Sequence, residues 1–139
     1  MFGKKKKFER DMDRLMTTTG LLKAAAANDK DMMMAMVMGK AATDDGLWFA
    51  LQVFITVAHR HPVVIERLSE IREQVVPKAY TAFDTTILAA RADNPALYRG
   101  GDIVGQGLVM AYLAGAIAED DGALAEVQTV LSERLPGGK

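Results

Sequence analysis

His59 and His61, the only histidines among 139 residues, stand one residue apart. In an extended strand such a pair can chelate one metal ion, but on a helix the two imidazoles point to different sides. Arg60 intervenes, Pro62 follows, and no nearby Asp or Glu completes a ligand set. The pair is therefore expected to close a helix, where imidazole and guanidinium meet the negative end of the dipole, and no metal site is expected. Asp44-Asp45 and Glu119-Asp120-Asp121 are grouped carboxylates that could hold a cation or share a proton. Neither lies in an Asp-x-Asp-x-Asp-Gly loop with a terminal Glu, so the first acidic residue of each group is expected to cap a helix.

The glycine-rich stretch Gly100-Gly101-Asp102-Ile103-Val104-Gly105-Gln106-Gly107 has neither the G-x-G-x-x-G spacing nor the Gly-Lys-Ser/Thr ending of phosphate-cradling loops, and no strand precedes it. Ser69 and Ser132 sit on charged helix faces without a nucleophile turn. Cysteine is absent, which removes disulfides, thiolate ligands and thiol nucleophiles and fits a reducing, cytoplasmic setting. An enzyme built from this chain would need Asp, Glu, Arg and Tyr gathered by the fold, for example Asp84, Tyr80, Arg91 and Tyr98. No cofactor is expected.

The elements that would carry these groups read as helices throughout. Phe8, Met12, Leu15, Met16, Thr19, Leu22 and Ala26 recur at three- and four-residue spacing, which predicts one inward face with Glu9, Arg10, Asp13, Arg14 and Lys23 outside. Gly20 marks a place for a kink. Asn28 or Asp29 caps a second helix, Lys30 to Ala42, whose run Met32-Met33-Met34-Ala35-Met36-Val37-Met38 predicts burial on several sides. Thr43-Asp44-Asp45-Gly46 turns into an apolar helix, Leu47 to Arg60. Pro62 opens an amphipathic helix, Val63 to Val76, with Val64, Ile65, Leu68, Ile71 and Val75 inward. Pro77 begins another, striped by Tyr80, Phe83, Ile87 and Ala90 and ending near Asp93-Asn94-Pro95. Asp102 caps the apolar segment Ile103 to Ala118, which is shorter than the roughly 20 residues a bilayer requires. A last helix carries Leu124, Val127, Val130, Leu131 and Leu135.

The expected fold is all-α: a compact bundle of about six to seven helices, including two helical hairpins and their linking helices. Residues 8–135 are expected to form one helical domain, with a basic flexible tail at 1–7 and a loose tail at 136–139. Residues 46–77 and 105–136 share an order of apolar helix, turn and amphipathic helix, which any two helical hairpins share.

Charge is uneven along the chain. Residues 1–30 hold eight Lys/Arg against four Asp/Glu, a surplus of +4, while 31–139 hold nine against fourteen, or −5. An acidic body argues against a broad nucleic-acid footprint. Lys4, Lys5, Lys6 and Lys7, flanked by Phe2 and Phe8, could make a weak anionic-membrane contact worth about 1 kcal/mol per lysine. The start shows neither a cleaved signal peptide nor a myristoylation pattern.

With no catalytic signature, the sequence points to a non-catalytic helical protein–protein interaction module, or a self-associating adaptor. Its partner would be another protein or a second copy in a homodimer. Candidate shared surface comprises Met34, Met38, Trp48 and Phe49, together with Gly107, Ala111 and Gly115, whose small side chains every fourth residue flatten one helix face. The alternatives are a membrane-peripheral protein anchored by the basic N-terminus and the enzyme assembled from Asp, Arg and Tyr.

The pattern after Pro62 yields a direct check. Leu68→Asp should destabilise the fold by several kcal/mol through an unpaired buried charge, whereas Glu70→Ala should be nearly neutral. Equal effects in chemical denaturation would mean that the helix face is misassigned.

Overall fold

The computed structural model describes residues 2–39 and 41–135, the side chain of Phe2 excepted. Among them are seven α-helices and no strand: α1 Phe2–Ala26, α2 Lys30–Val37, α3 Asp44–Arg60, α4 Pro62–Arg72, α5 Tyr80–Ala92, α6 Ile103–Glu119 and α7 Asp121–Arg134. Single 3-10 turns at Pro77–Ala79 and Pro95–Leu97 lead into and out of α5. The all-α bundle expected from the sequence is the fold observed.

Most boundaries follow local chemistry. Asp29, Thr43, Asp102 and Asp120 each accept a backbone N–H in the first turn of the following helix, satisfying one of the donors that a helix start leaves orphaned. The two acidic groups differ from expectation in one respect. Thr43 rather than Asp44 caps α3, and Asp120 rather than Glu119 caps α7. Pro62 opens α4, where its missing N–H costs nothing. Asp93 takes the left-handed conformation that ends α5.

Two helices form the interior. α3 is buried at Phe49, Ala50, Leu51 and from Val53 to Ala58. α6 is buried at Gly105, Gly107, Val109, Met110, Leu113, Ala114, Ala116 and Ile117. α3 packs on α1, α5 and α7; α6 packs on α1, α4 and α5. The first helix of each hairpin, α3–α4 and α6–α7, thus also meets the second helix of the other. The apolar length of α6 is explained by this cover, and among the described residues no helix is long and apolar enough to cross a membrane.

The structure corrects several expectations. The helix expected from Phe8 begins at Phe2, so Lys4–Lys7 form exposed helical turns rather than a tail. α1 runs through Gly20 without a break, and Met36 of α2 covers that glycine. The inward face of α1 is Thr17, Thr18, Leu21, Leu22 and Ala24, leaving Phe8, Met12 and Met16 exposed. Threonine can occupy this buried face because its hydroxyl bonds back along the helix: Thr18 Oγ1 donates to the Arg14 carbonyl at 2.8 Å. The methionine run is not wrapped on all sides. α2 is short and superficial, burying only Met33 and Met36. Leu124, expected inward, is also exposed. The tail expected at 136–139 lies outside the described residues.

Two glycines on α6 separate packing from helix propensity. A Cβ at Gly105 would stand 2.8 Å from the Ala79 Cα and 3.0 Å from the Lys78 carbonyl oxygen, so backbone meets backbone there. At Gly115 nothing lies within 4 Å of that position. Gly105→Ala should therefore cost about 1–3 kcal/mol by overpacking, whereas Gly115→Ala should stabilise by up to about 1 kcal/mol through helix propensity. Thermal melts of the two variants should shift in opposite directions.

Candidate functional site

The predicted interaction residues separate into exposed and buried sets. Met34 projects from the outer side of α2 and is 60% exposed, while Met38, just past the end of that helix, is 40% exposed with its sulfur turned toward α6. Trp48, in the first turns of α3, is 43% exposed and tilts against Tyr98, the ring centroids lying 6.1 Å apart. Burial pushes the Tyr98 phenol up to about 12, so it is neutral where it backs the indole. The first turn of α6 carries further exposed apolar side chains. Ile103 is 71% exposed and Val104 is partly exposed, and one turn further on Met38 lies against Gly107. Ile103 and Val104 were not singled out by sequence, because they open a helix whose remainder is buried.

Phe49 does not belong to this surface. One residue along α3 turns the side chain by about 100°, and Phe49 enters the core with the Arg14 guanidinium 5.3 Å above its ring. The Gly107, Ala111 and Gly115 stripe is not one continuous free face either. Gly107 is buried beneath Met38 and Val37 of this same chain, Ala111 is partly buried against the core, and only Gly115 has open space beside it.

The two histidines turn to different helices. His59 Nδ1 lies 3.0 Å from the Ala90 carbonyl oxygen on α5, and His61 Nε2 lies 3.3 Å from Glu126 Oε1 on α7. A carboxylate therefore does adjoin His61, supplied from a distant part of the sequence. Arg60 occupies the same carboxylate at 3.0 Å and bonds Glu133 as well. These bonds hold the Glu126 carboxyl below its usual range, the guanidinium first and the imidazole second. Among the described residues no three His, Asp or Glu side chains gather as a metal site would require.

The residues of the enzyme alternative are only partly brought together. A cavity of about 490 Å³ between α4 and α5 is lined by Asp84 and Arg91, with Ser69, Arg72 and Glu73. Arg72 holds both oxygens of Asp84, at 2.8 and 3.1 Å, and lies over the Tyr80 ring at 3.9 Å. Tyr98 is elsewhere, against Trp48. Asp84 is thus engaged as an ion-pair acceptor, which leaves it poorly placed to take a proton from a substrate.

Lys4, Lys5, Lys6 and Lys7 are all exposed on the first turns of α1. The Phe2 side chain, named with them as a membrane-surface candidate, lies outside the described residues. Lys4 and Lys7 border a groove of about 430 Å³ between the start of α1 and the end of α7, which Phe8, Met12, Leu15, Leu131 and Leu135 also line. Sequence reasoning missed this groove because it assigned Phe8 and Met12 to the core.

A polar clamp holds the neighbouring part of α1 on α3. Arg14 donates to both oxygens of Asp45 at 2.8 Å, and the Thr43 hydroxyl that caps α3 donates to the Asp13 carboxylate. Gly46 lets the helices meet: a Cβ there would stand 2.6 Å from Thr17 Oγ1. Comparison of the chain with protein-family models, curated proteins and solved structures gives no match.

The clamp sets a pH dependence. Hydrogen bonding to Arg14, and then its charge, lowers the Asp45 pKa below the ordinary value of 3.8. A depressed folded-state pKa gives stability that is fully present above the unfolded value and is lost as pH falls through the folded value. Asp45→Asn should therefore lower the melting temperature at neutral pH by a modest amount, since exposed pairs contribute about 0.2–1 kcal/mol. The difference from wild type should close as the solution is acidified below 3.8. A difference that persists unchanged in acid would assign the effect to packing.

Proposed function

We propose that this chain is a non-catalytic helical protein–protein interaction module, or self-associating adaptor, that engages another protein or a second copy through the face carrying Met34, Met38 and Trp48. The observation carrying this reading is the exposure of four large side chains, Trp48, Met34, Met38 and Ile103, that the core leaves uncovered. A large indole resting against Tyr98 offers wide apolar area to a partner, and such aromatic anchors carry much of the energy of protein interfaces. Methionine adds a soft, adaptable rim that can fit a partner's surface. The cytoplasmic placement expected from the cysteine-free sequence belongs to the same proposal.

The partner face differs from the small-residue stripe. Val37 and Met38 cover Gly107, so a second subunit seated on that stripe would have to displace them. Self-association, where it occurs, runs over the outside of α2 and the start of α3.

Paired baits test the reading. Wild type and Trp48→Asp should both fold, because the indole is outside the core. Light scattering from low to high micromolar concentration, with capture from native lysate in parallel, should give a dimer mass or a captured polypeptide for wild type. Trp48→Asp should lose it. A wild-type monomer whose captured proteins are the same as those of Trp48→Asp would refute the interaction face.

A further inference from the structure

We propose that the groove between the start of α1 and the end of α7 is a second docking site, and that its occupant is an acidic amphipathic helix from another protein. This deepens the interaction-module reading and rests on it, but it uses a different surface: none of Met34, Met38 or Trp48 lines the groove.

Three properties select the occupant. The walls are two helices, and the lining between them is apolar, with Leu15 on one side and Leu131 and Leu135 on the other. A helix laid along such a trough inserts a ridge of side chains into it, the usual way that a third helix joins two. Phe8 and Met12 of the lining are themselves exposed, Phe8 by 64%, and Met16 one turn on extends that apolar ridge beyond the groove.

The charge is one-sided. Lys4 and Lys7 stand on the rim with Lys5 and Lys6 in the same turns, and Asp11 is the one acidic residue in the lining. No acidic residue occupies the first turn of α1. Four lysines therefore crowd the positive end of the helix dipole, an arrangement that is unfavourable until an anion faces it. Glutamates flanking the apolar stripe of an incoming helix would meet that field.

The shape decides between a helix and a lipid surface. A bilayer presents a broad face, whereas this lining is an open trough between two helices and includes Gln128 and Ser132 on α7. Those groups suit the polar edge of a peptide.

The test uses the full chain and a fluorescein-labelled synthetic helix with leucine along one face and glutamate on its flanks. A twin peptide carries lysine for every glutamate. In fluorescence anisotropy the glutamate peptide should bind and the lysine twin should not, with binding weakening as salt rises. Phe8→Asp, and separately the double variant Lys4→Glu with Lys7→Glu, should each weaken binding about tenfold. All three positions are exposed, and unchanged melting curves will show that the fold is kept. Trp48→Asp should bind the glutamate peptide as wild type does. Equal binding of both peptides, or of neither, overturns the proposal. So does co-sedimentation with phosphatidylserine vesicles in the absence of peptide binding, which would assign the groove to lipid. Loss of peptide binding in Trp48→Asp would place the site on the other face and likewise overturn it. Failure here leaves the Trp48 face standing, and failure of the paired baits leaves the groove standing, so the two outcomes are separable.

Discussion

From Val53 to Ala58 every residue of α3 is withdrawn from water, and Phe49, Ala50 and Leu51 extend that burial toward its start. A helix in this condition must be covered on all sides, and the other elements take the positions that this demands. Full burial of each large apolar side chain is worth about 1.5–3 kcal/mol relative to exposure, so covering α3 outweighs any single polar contact at the surface. α1, α5 and α7 supply most of that cover. Thr56, the one polar side chain in the run, is satisfied by Arg134 of α7, which reaches its hydroxyl at 2.7 Å.

Once α3 and α6 are placed, the orientation of α1 follows. Leu21, Leu22 and Ala24 bury one face of it, Gly46 and Thr17 allow close approach, Thr18 buries a self-satisfied hydroxyl, and the ion pair Arg14–Asp45 fits the resulting rotation. Phe8, Met12 and Met16 are then on the outside by geometry, since they occupy the side of the helix turned away from Thr17 and Leu21. The same rotation opens the trough against α7. The proposed second site is in this sense a by-product of the packing that holds α1 in place.

The two candidate surfaces differ in chemistry. The proposed Trp48 site centres on an exposed indole, suited to a close-packed contact whose energy comes from desolvating an aromatic anchor. The α1–α7 groove combines an apolar floor with a one-sided charge, suited to selecting partners by sign and to fast, salt-sensitive association. Two surfaces of unlike character allow one small chain to bridge two partners, which is what an adaptor requires.

Local chemistry alone determined much of the fold. Caps, prolines and the 3.6-residue period are short-range signals, so the helical class, the succession of helices and the inward faces of α4 and α5 are all legible in the order of the residues. Trp48, Met34 and Met38 are likewise recognisable as candidates from residue type. Packing decided what period could not. On α1 the apolar residues and the threonines make two competing stripes, and periodicity favours the apolar one. Leu21, Leu22 and Ala24 share the inward stripe with the threonines, and Thr18 can join them because its hydroxyl bonds its own backbone. Adjacent residues such as Trp48 and Phe49 are equivalent by composition and opposite by environment. The partner of His61, the carboxylates that hold Arg60, and the groove between α1 and α7 all join residues far apart in the chain. No local pattern encodes such pairs, because only the burial of α3 and α6 brings them within contact.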